Sequence, residues 1–200
     1  MTMLTLAVSL LAGAAGCMEH KQQQTQQSGG SGNKPVVVIE TSAGPITVEL
    51  WPDKAPITVE NFLAYADEKH FDGTIFHRVI SNFMIQGGGF NANLREKRTH
   101  APIRNEARAD TPNARGTIAM ARTGIVDSAT AQFYINVVDN AGLNHADNTD
   151  DGFGYCVFGK VIDGMAVVDK IRKVRTATVG GMQDVPLDPV TIVSVRRQGK

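Results

Sequence analysis

The sequence lacks an excess of charge of either sign, because 20 Lys and Arg residues are balanced by 20 Asp and Glu residues. Nothing global therefore draws the chain to nucleic acid or to an acidic membrane surface, which excludes a binder driven by bulk electrostatics. Cysteine is nearly missing too. Cys17 and Cys156 are the only two in 200 residues, too few for a disulfide-stapled scaffold or a Cys-based structural zinc site. Stability must come from a hydrophobic core, and 42% hydrophobic residues over this length supply one domain or at most two. Common catalytic signatures are also absent. There is no G-x-S-x-G elbow, and Gly87-Gly88-Gly89 lack both the Lys-Ser/Thr of a phosphate loop and a full dinucleotide fingerprint. Asn144, His145, Asp147, Asn148, Asp150 and Asp151 gather before Gly152. An EF-hand loop begun at Asp147 would nevertheless meet Thr149 at its third position and Phe158 in place of the bidentate Glu. This stretch reads as a solvated polar loop, so neither a metal nor a cofactor is expected.

What is present begins with an apolar N-terminus. Residues 1–16 contain no charged side chain, and 11 of the 16 are Ala, Val, Leu or Met. The run is shorter than the ~20 residues that span a bilayer and reads as a signal peptide. Ala14-Ala15-Gly16-Cys17 resembles the lipobox of bacterial lipoproteins, although Ala14 stands where they carry a large aliphatic residue and a basic start is missing. The resemblance implies lipidation of Cys17. The chain would then be exported to the periplasm or cell-envelope face and touch a membrane only through that lipid anchor. Residues 17–34, rich in Gln, Ser and Gly, read as a flexible linker with a reach of roughly 20 to 25 Å. Function is then carried by residues 35–200.

That segment reads as short strands and two helices. Val36 to Ile39 and the alternating Ile46, Val48 and Leu50 flank the turn residues Ser42-Ala43-Gly44-Pro45 and predict a hairpin. Pro56 can open a helix whose Val59, Phe62, Leu63 and Ala66 share a face, with Gly73 closing it. Further strands are predicted over 74–80, 83–86, 117–121, 133–136, 155–161 and 190–196, and a second helix over 165–173. Many short strands with Gly-rich turns argue for a barrel or sandwich, and two helices suit open barrel ends. Cys156 falls in an apolar strand and reads as a buried, inert thiol.

One string remains: Phe76-His77-Arg78-Val79-Ile80-Ser81-Asn82-Phe83-Met84-Ile85-Gln86-Gly87-Gly88. Strand alternation puts Phe76, Arg78 and Ile80 on one face, so a charge sits among large apolar neighbours. On residues alone Arg78 is either a structural ion pair or a functional group, Phe83 and Met84 are core or pocket, and His77 is scaffold or an acid–base group.

The string resembles the signature of the cyclophilin family of peptidyl-prolyl cis/trans isomerases, in its short single-domain bacterial branch. The likeness continues through Gly116 to Arg122, Ser128 to Asn136 and Phe153 to Val161, and spans roughly residues 35–197 in order. It implies a mainly β fold, a closed eight-stranded antiparallel barrel capped by two α-helices, and a monomer acting on proline-containing polypeptides without a cofactor. It implies Arg78 as the catalytic arginine, Phe83 and Met84 as proline-pocket residues, and Gln86 as the glutamine holding the substrate backbone. Ala121 matches a backbone position beside the peptide, Gln132 a second groove glutamine, and Leu143 a pocket-wall leucine. Tyr134 stands where Phe is usual at the pocket floor, and its added hydroxyl is expected to face solvent or a backbone carbonyl. Tyr155 stands where other members carry His or Tyr. Gly142 falls where Trp or Phe is common, which implies weak recognition of bulky cyclic peptides such as cyclosporin. Three roles fit this groove: an isomerase of exported proteins, a holdase, or a structural envelope lipoprotein.

Overall fold

The computed structural model describes residues 34–199. The expected signal peptide, Cys17 and the linker up to residue 33 lie outside the described residues.

β1 (Val36–Thr41) and β2 (Gly44–Leu50) form the expected hairpin, because Val37, Ile39, Ile46, Val48 and Leu50 are all fully buried on one face. Thr41 Oγ1 ties the turn, donating to Gly44 O at 2.6 Å and accepting from Ala43 N at 3.1 Å. α1 (Pro56–Asp67) opens on Pro56, whose missing N–H costs nothing in a first turn. The next two donors, Ile57 N and Thr58 N, reach the Glu106 carboxylate at 3.3 and 2.8 Å. This cap comes from 48 residues beyond Thr58 and is invisible to a local reading. α1 ends earlier than expected. Lys69, at φ 59, takes the left-handed position in place of Gly73. Lys69 N donates to Ala66 O at 3.1 Å and His70 N to Tyr65 O at 2.9 Å, the paired bonds that satisfy last-turn carbonyls.

The chain continues through β3 (Thr74–Ile80), β4 (Met84–Asn91), β5 (Thr117–Met120), β6 (Phe133–Asn136), a 3-10 turn (Ala141–Leu143), β7 (Val157–Asp163), α2 (Met165–Ile171), β8 (Thr176–Val179), β9 (Met182–Pro186) and β10 (Thr191–Arg197). Eight strands close into an antiparallel barrel in the order β1-β10-β3-β4-β6-β5-β7-β2. Phe62 of α1 enters the core against Phe71, Phe133 and Phe158, with ring centroids 5.0, 5.6 and 5.2 Å away. Val168 and Ile171 of α2 join the same cluster, and each such side chain contributes about 1.5 to 3 kcal/mol on burial. Strand edges differ by one or two residues from expectation: Phe83 lies in the turn before β4, Ala121 just past β5, and Tyr155 and Cys156 just before β7. The β8–β9 hairpin was not expected. It stands outside the barrel as a separate two-stranded sheet, with β9 against β3. Among the described residues, no helix is long and apolar enough to cross a membrane.

Candidate active site

A kink in β3 creates the site. Phe76 pairs with Gly87, but Arg78 pairs with Gln86, so two residues of β3 are spent against one of β4. Such a bulge reverses the face presented by everything beyond it. Phe76 therefore points into the barrel and is fully buried in its core, whereas Arg78 and Ile80 emerge outside, opposite Gln86 and Met84. The expectation that Phe76, Arg78 and Ile80 share a face is corrected by this slip. Gly87 and Gly88 serve the same geometry rather than a phosphate. A Cβ at Gly88, whose φ is +87, would also press within 3.0 Å of the Phe133 ring.

Outside the barrel, Met84, Ala119, Tyr134 and Val157 form a second buried cluster, with Phe83, Ala121, Leu143 and Tyr155 packed against it. Above it opens a groove of about 100 Å³, lined by Arg78, Phe83, Met84, Gln86, Ala121, Arg122, Tyr134, Leu143 and Tyr155. Eight of the residues singled out from the sequence thus meet at one place. Gln132 lies beside them, in an adjoining depression shared with Gln86 and Ala121, where its Oε1 accepts a bond from Gln86 Nε2 at 3.0 Å. Ala121 N donates to Gln132 O at 3.0 Å, tying the edge past β5 to the segment before β6.

The Tyr134 hydroxyl faces neither solvent nor a backbone carbonyl. It donates at 2.7 Å to Oδ1 of Asn113, because a buried hydroxyl needs an internal partner. Burial also pushes the phenol well above its ordinary range, so it stays a neutral donor. Asn113 is a hub that sequence reasoning missed. Its Oδ1 also accepts from Asn136 Nδ2 at 3.2 Å, and its Nδ2 donates to Leu143 O and Tyr155 O at 3.0 and 3.4 Å. One buried amide thereby holds the pocket floor and both wall residues.

Two charged residues were also missed. Arg122 lies over the Tyr155 ring at 4.7 Å and donates to the carbonyls of Gly154, Thr123 and Asp150. Asp184, on β9 at φ 59, brings Oδ2 to 3.8 Å from Arg78 Nε. Arg122 stood inside a motif already noted, but only the unexpected hairpin could reveal Asp184.

Other candidates fall away from the groove. His77 is buried at the bulge with its ring 4.7 Å from Phe90, and burial pushes its imidazole down to about 4. It is scaffold, with Nδ1 unpartnered. Cys156 is buried with Sγ 3.4 Å from Thr58 Oγ1, and burial pushes the thiol up to about 11. Asp147 turns onto its own loop, accepting from Thr149 N at 2.8 Å. Among the described residues no group of three His, Cys, Asp or Glu side chains could hold a metal ion. A larger cavity of about 490 Å³ opens at the start of α1, but Lys54, Arg108 and Glu106 on its lining already bind partners within the chain.

Comparison with known proteins agrees with this geometry. Residues 36–197 match the family model described as cyclophilin type peptidyl-prolyl cis-trans isomerase/CLD. The chain is 56% identical over 163 residues to peptidyl-prolyl cis-trans isomerase cyp18 of Streptomyces antibioticus, covering 82% of this chain and 98% of that protein. It is 54% identical over 160 residues to peptidyl-prolyl cis-trans isomerase B of Escherichia coli (strain K12), covering 80% and 98%. A crystal structure of a Cryptosporidium parvum cyclophilin type isomerase superposes with a TM-score of 0.67 at 24% identity, covering 84% of this chain and 99% of the other. With the barrel, the groove and the match along nearly all of the described residues in agreement, this chain belongs to the cyclophilin family and is a peptidyl-prolyl cis-trans isomerase.

Proposed function

We propose that the groove binds a proline ring against Phe83, Met84, Tyr134 and Leu143, and that Arg78 is the catalytic group. The observation that carries this reading is the contrast between the two guanidinium groups on the groove. Arg122 is committed to three backbone carbonyls, whereas Arg78 has an ion pair only at 3.8 Å and keeps donors for a ligand.

The chemistry asks for little more. Rotation about a peptide bond faces a barrier of about 18 to 20 kcal/mol because resonance stiffens the C–N bond. No covalent bond breaks, so the enzyme need only favour the twisted amide. In that state conjugation is lost and the prolyl nitrogen becomes a better acceptor. Arg78, always charged and rich in donors, can bond that nitrogen or the neighbouring carbonyl more strongly than in either planar form. Gln86, Gln132 and the backbone at Ala121 hold the peptide on the other side while one half turns. Tyr155, fixed by Arg122 and Asn113, closes the wall.

The substrates in this reading are proline-containing segments of exported proteins during folding. The apolar residues 1–16 and the lipobox-like Ala14 to Cys17 support export and a lipid anchor at Cys17, and a groove complete within one chain supports action as a monomer. Isomerisation of a short blocked Xaa-Pro peptide is the test. Arg78→Ala should lose about 100-fold in kcat/KM with unchanged thermal unfolding, and equal rates for the two proteins would overturn the catalytic assignment. Cys17→Ser should abolish metabolic labelling with a fatty acid; undiminished labelling would overturn the anchor.

A further inference from the structure

The β8–β9 hairpin brings a carboxylate beside Arg78 by an irregular route. Its turn residues Gly180 and Gly181 stand at φ 58 and 86, and they close a two-residue turn that pairs Val179 with Met182. The next pair in the register is Ala177 with Val185. Between the two pairs β8 spends one residue, Thr178, and β9 spends two, Gln183 and Asp184. This is a bulge in β9, and Asp184 takes the left-handed conformation inside it, at φ 59. Glycine adopts that conformation freely, whereas an aspartate is tolerated there at a cost in backbone strain.

A strained backbone position points to function when its side chain does what a glycine could not. Val185 and Pro186, buried directly after the bulge, anchor β9 where it packs against β3. From that anchor the Asp184 carboxylate brings Oδ2 to 3.8 Å from Arg78 Nε, and among the described residues this is the sole ion pair of either side chain. Asp184 does not itself line the groove, so it meets Arg78 from the flank. At 3.8 Å the contact is a charge attraction rather than a hydrogen bond, and it uses up none of the N–H donors of the guanidinium. It can therefore orient the group without occupying it.

We propose that Asp184 is a positioning residue for Arg78, holding the Nε side of the guanidinium towards β9 so that the terminal nitrogens stay available to the twisted amide. The proposal rests on the reading that Arg78 is the catalytic group. Its effect belongs in kcat. A guanidinium that is already oriented has nothing to reorganise as the amide twists, whereas one that turns freely is in place for only a fraction of the time. KM is set by the apolar wall and the groove glutamines, which Asp184 does not touch.

Two substitutions separate the charge from the fold of the hairpin, measured with an uncharged, blocked Xaa-Pro peptide. Asp184→Asn keeps the shape of the side chain and the tolerance of a left-handed backbone but removes the charge. Its kcat should fall about threefold, the scale of a half-exposed ion pair, with KM within about 1.5-fold of wild type. Asp184→Gly fits the bulge without strain, so it should lose the same kcat while its thermal unfolding stays within about 2 °C of wild type. The Arg78 Nε–H resonance should move in Asp184→Asn, and in an Arg78→Ala protein the same substitution should cause no further loss. Wild-type kcat or an unmoved resonance in Asp184→Asn, or an equal loss in the Arg78→Ala background, would overturn the positioning role and leave Arg78 standing, provided that Arg78→Ala is itself slow. Wild-type rates in Arg78→Ala would overturn the catalytic assignment itself.

Discussion

The same strands carry the barrel interior on one face and the groove on the other, and the two faces differ by a single residue step. On β6, Phe133 and Ile135 point inward, while Tyr134 and Asn136 face the groove and its polar hub. On β5, Ile118 and Met120 are interior and Ala119 belongs to the groove cluster; on β4, Ile85 is interior between Met84 and Gln86. No Asp, Glu, Lys or Arg occurs among the buried described residues. The groove instead combines a small buried floor with Arg78, Gln86 and Arg122 at its rim. The period-2 pleat thus sorts stability to one side and recognition to the other.

Breaking the interior should produce the largest effect. Phe133→Ala removes a fully buried ring from contact with Phe62, Phe71 and Phe76 and should cost about 3 to 5 kcal/mol in denaturant unfolding. The folded fraction should keep its kcat/KM within about twofold, and a larger loss per folded molecule would show that the two faces are coupled. Asn113→Ala sharpens the comparison because it strikes both properties. Leaving the buried Tyr134 hydroxyl without its acceptor should cost about 1 to 3 kcal/mol, and KM should rise several-fold as Leu143 and Tyr155 lose their shared tether. Stability lost with KM unchanged would show that the wall stands without the hub.

The smallest effect lies at the bulge between the two faces. Burial holds His77 neutral down to about pH 4 in the folded chain, whereas an unfolded histidine takes its proton near pH 6.5. Stability is therefore complete above about pH 6.5 and is lost as the pH falls towards 4, by at most about 1.4 kcal/mol per pH unit. His77→Phe should flatten this slope in urea titrations at pH 5 to 6. His70, also lowered by burial and by nearby Lys97, leaves a residual slope. An unchanged slope would move the acid sensitivity away from the bulge.

Much of this was legible in the residues. All eight barrel strands and both helices were expected, since Val37, Ile39, Ile46 and Val48, or Val59, Phe62, Leu63 and Ala66, repeat with the period of their element. The groove residues were reached through a family resemblance, because periodicity alone left Arg78, Phe83 and Met84 open between structure and function. The β8–β9 hairpin escaped for a physical reason. Its first strand is nearly all exposed and has no alternation to read, so Asp184 went unseen beside Arg78. The Lys69 helix stop escaped because a non-glycine residue took the left-handed position.

The sequence by itself determined the elements, the apolar core and the string that holds the groove, because these follow from local periodicity and residue type. Only the tertiary structure decided which way the string faces, what caps α1, and how Tyr134 and the two glutamines are bonded. A one-residue bulge turns Arg78 out of the barrel, Glu106 arrives 48 residues after the donor it satisfies, and Asn113 lies 21 residues from the hydroxyl it receives. Such partners are chosen by spatial closeness and by the cost of leaving a buried polar group unpaired, and no local pattern records either.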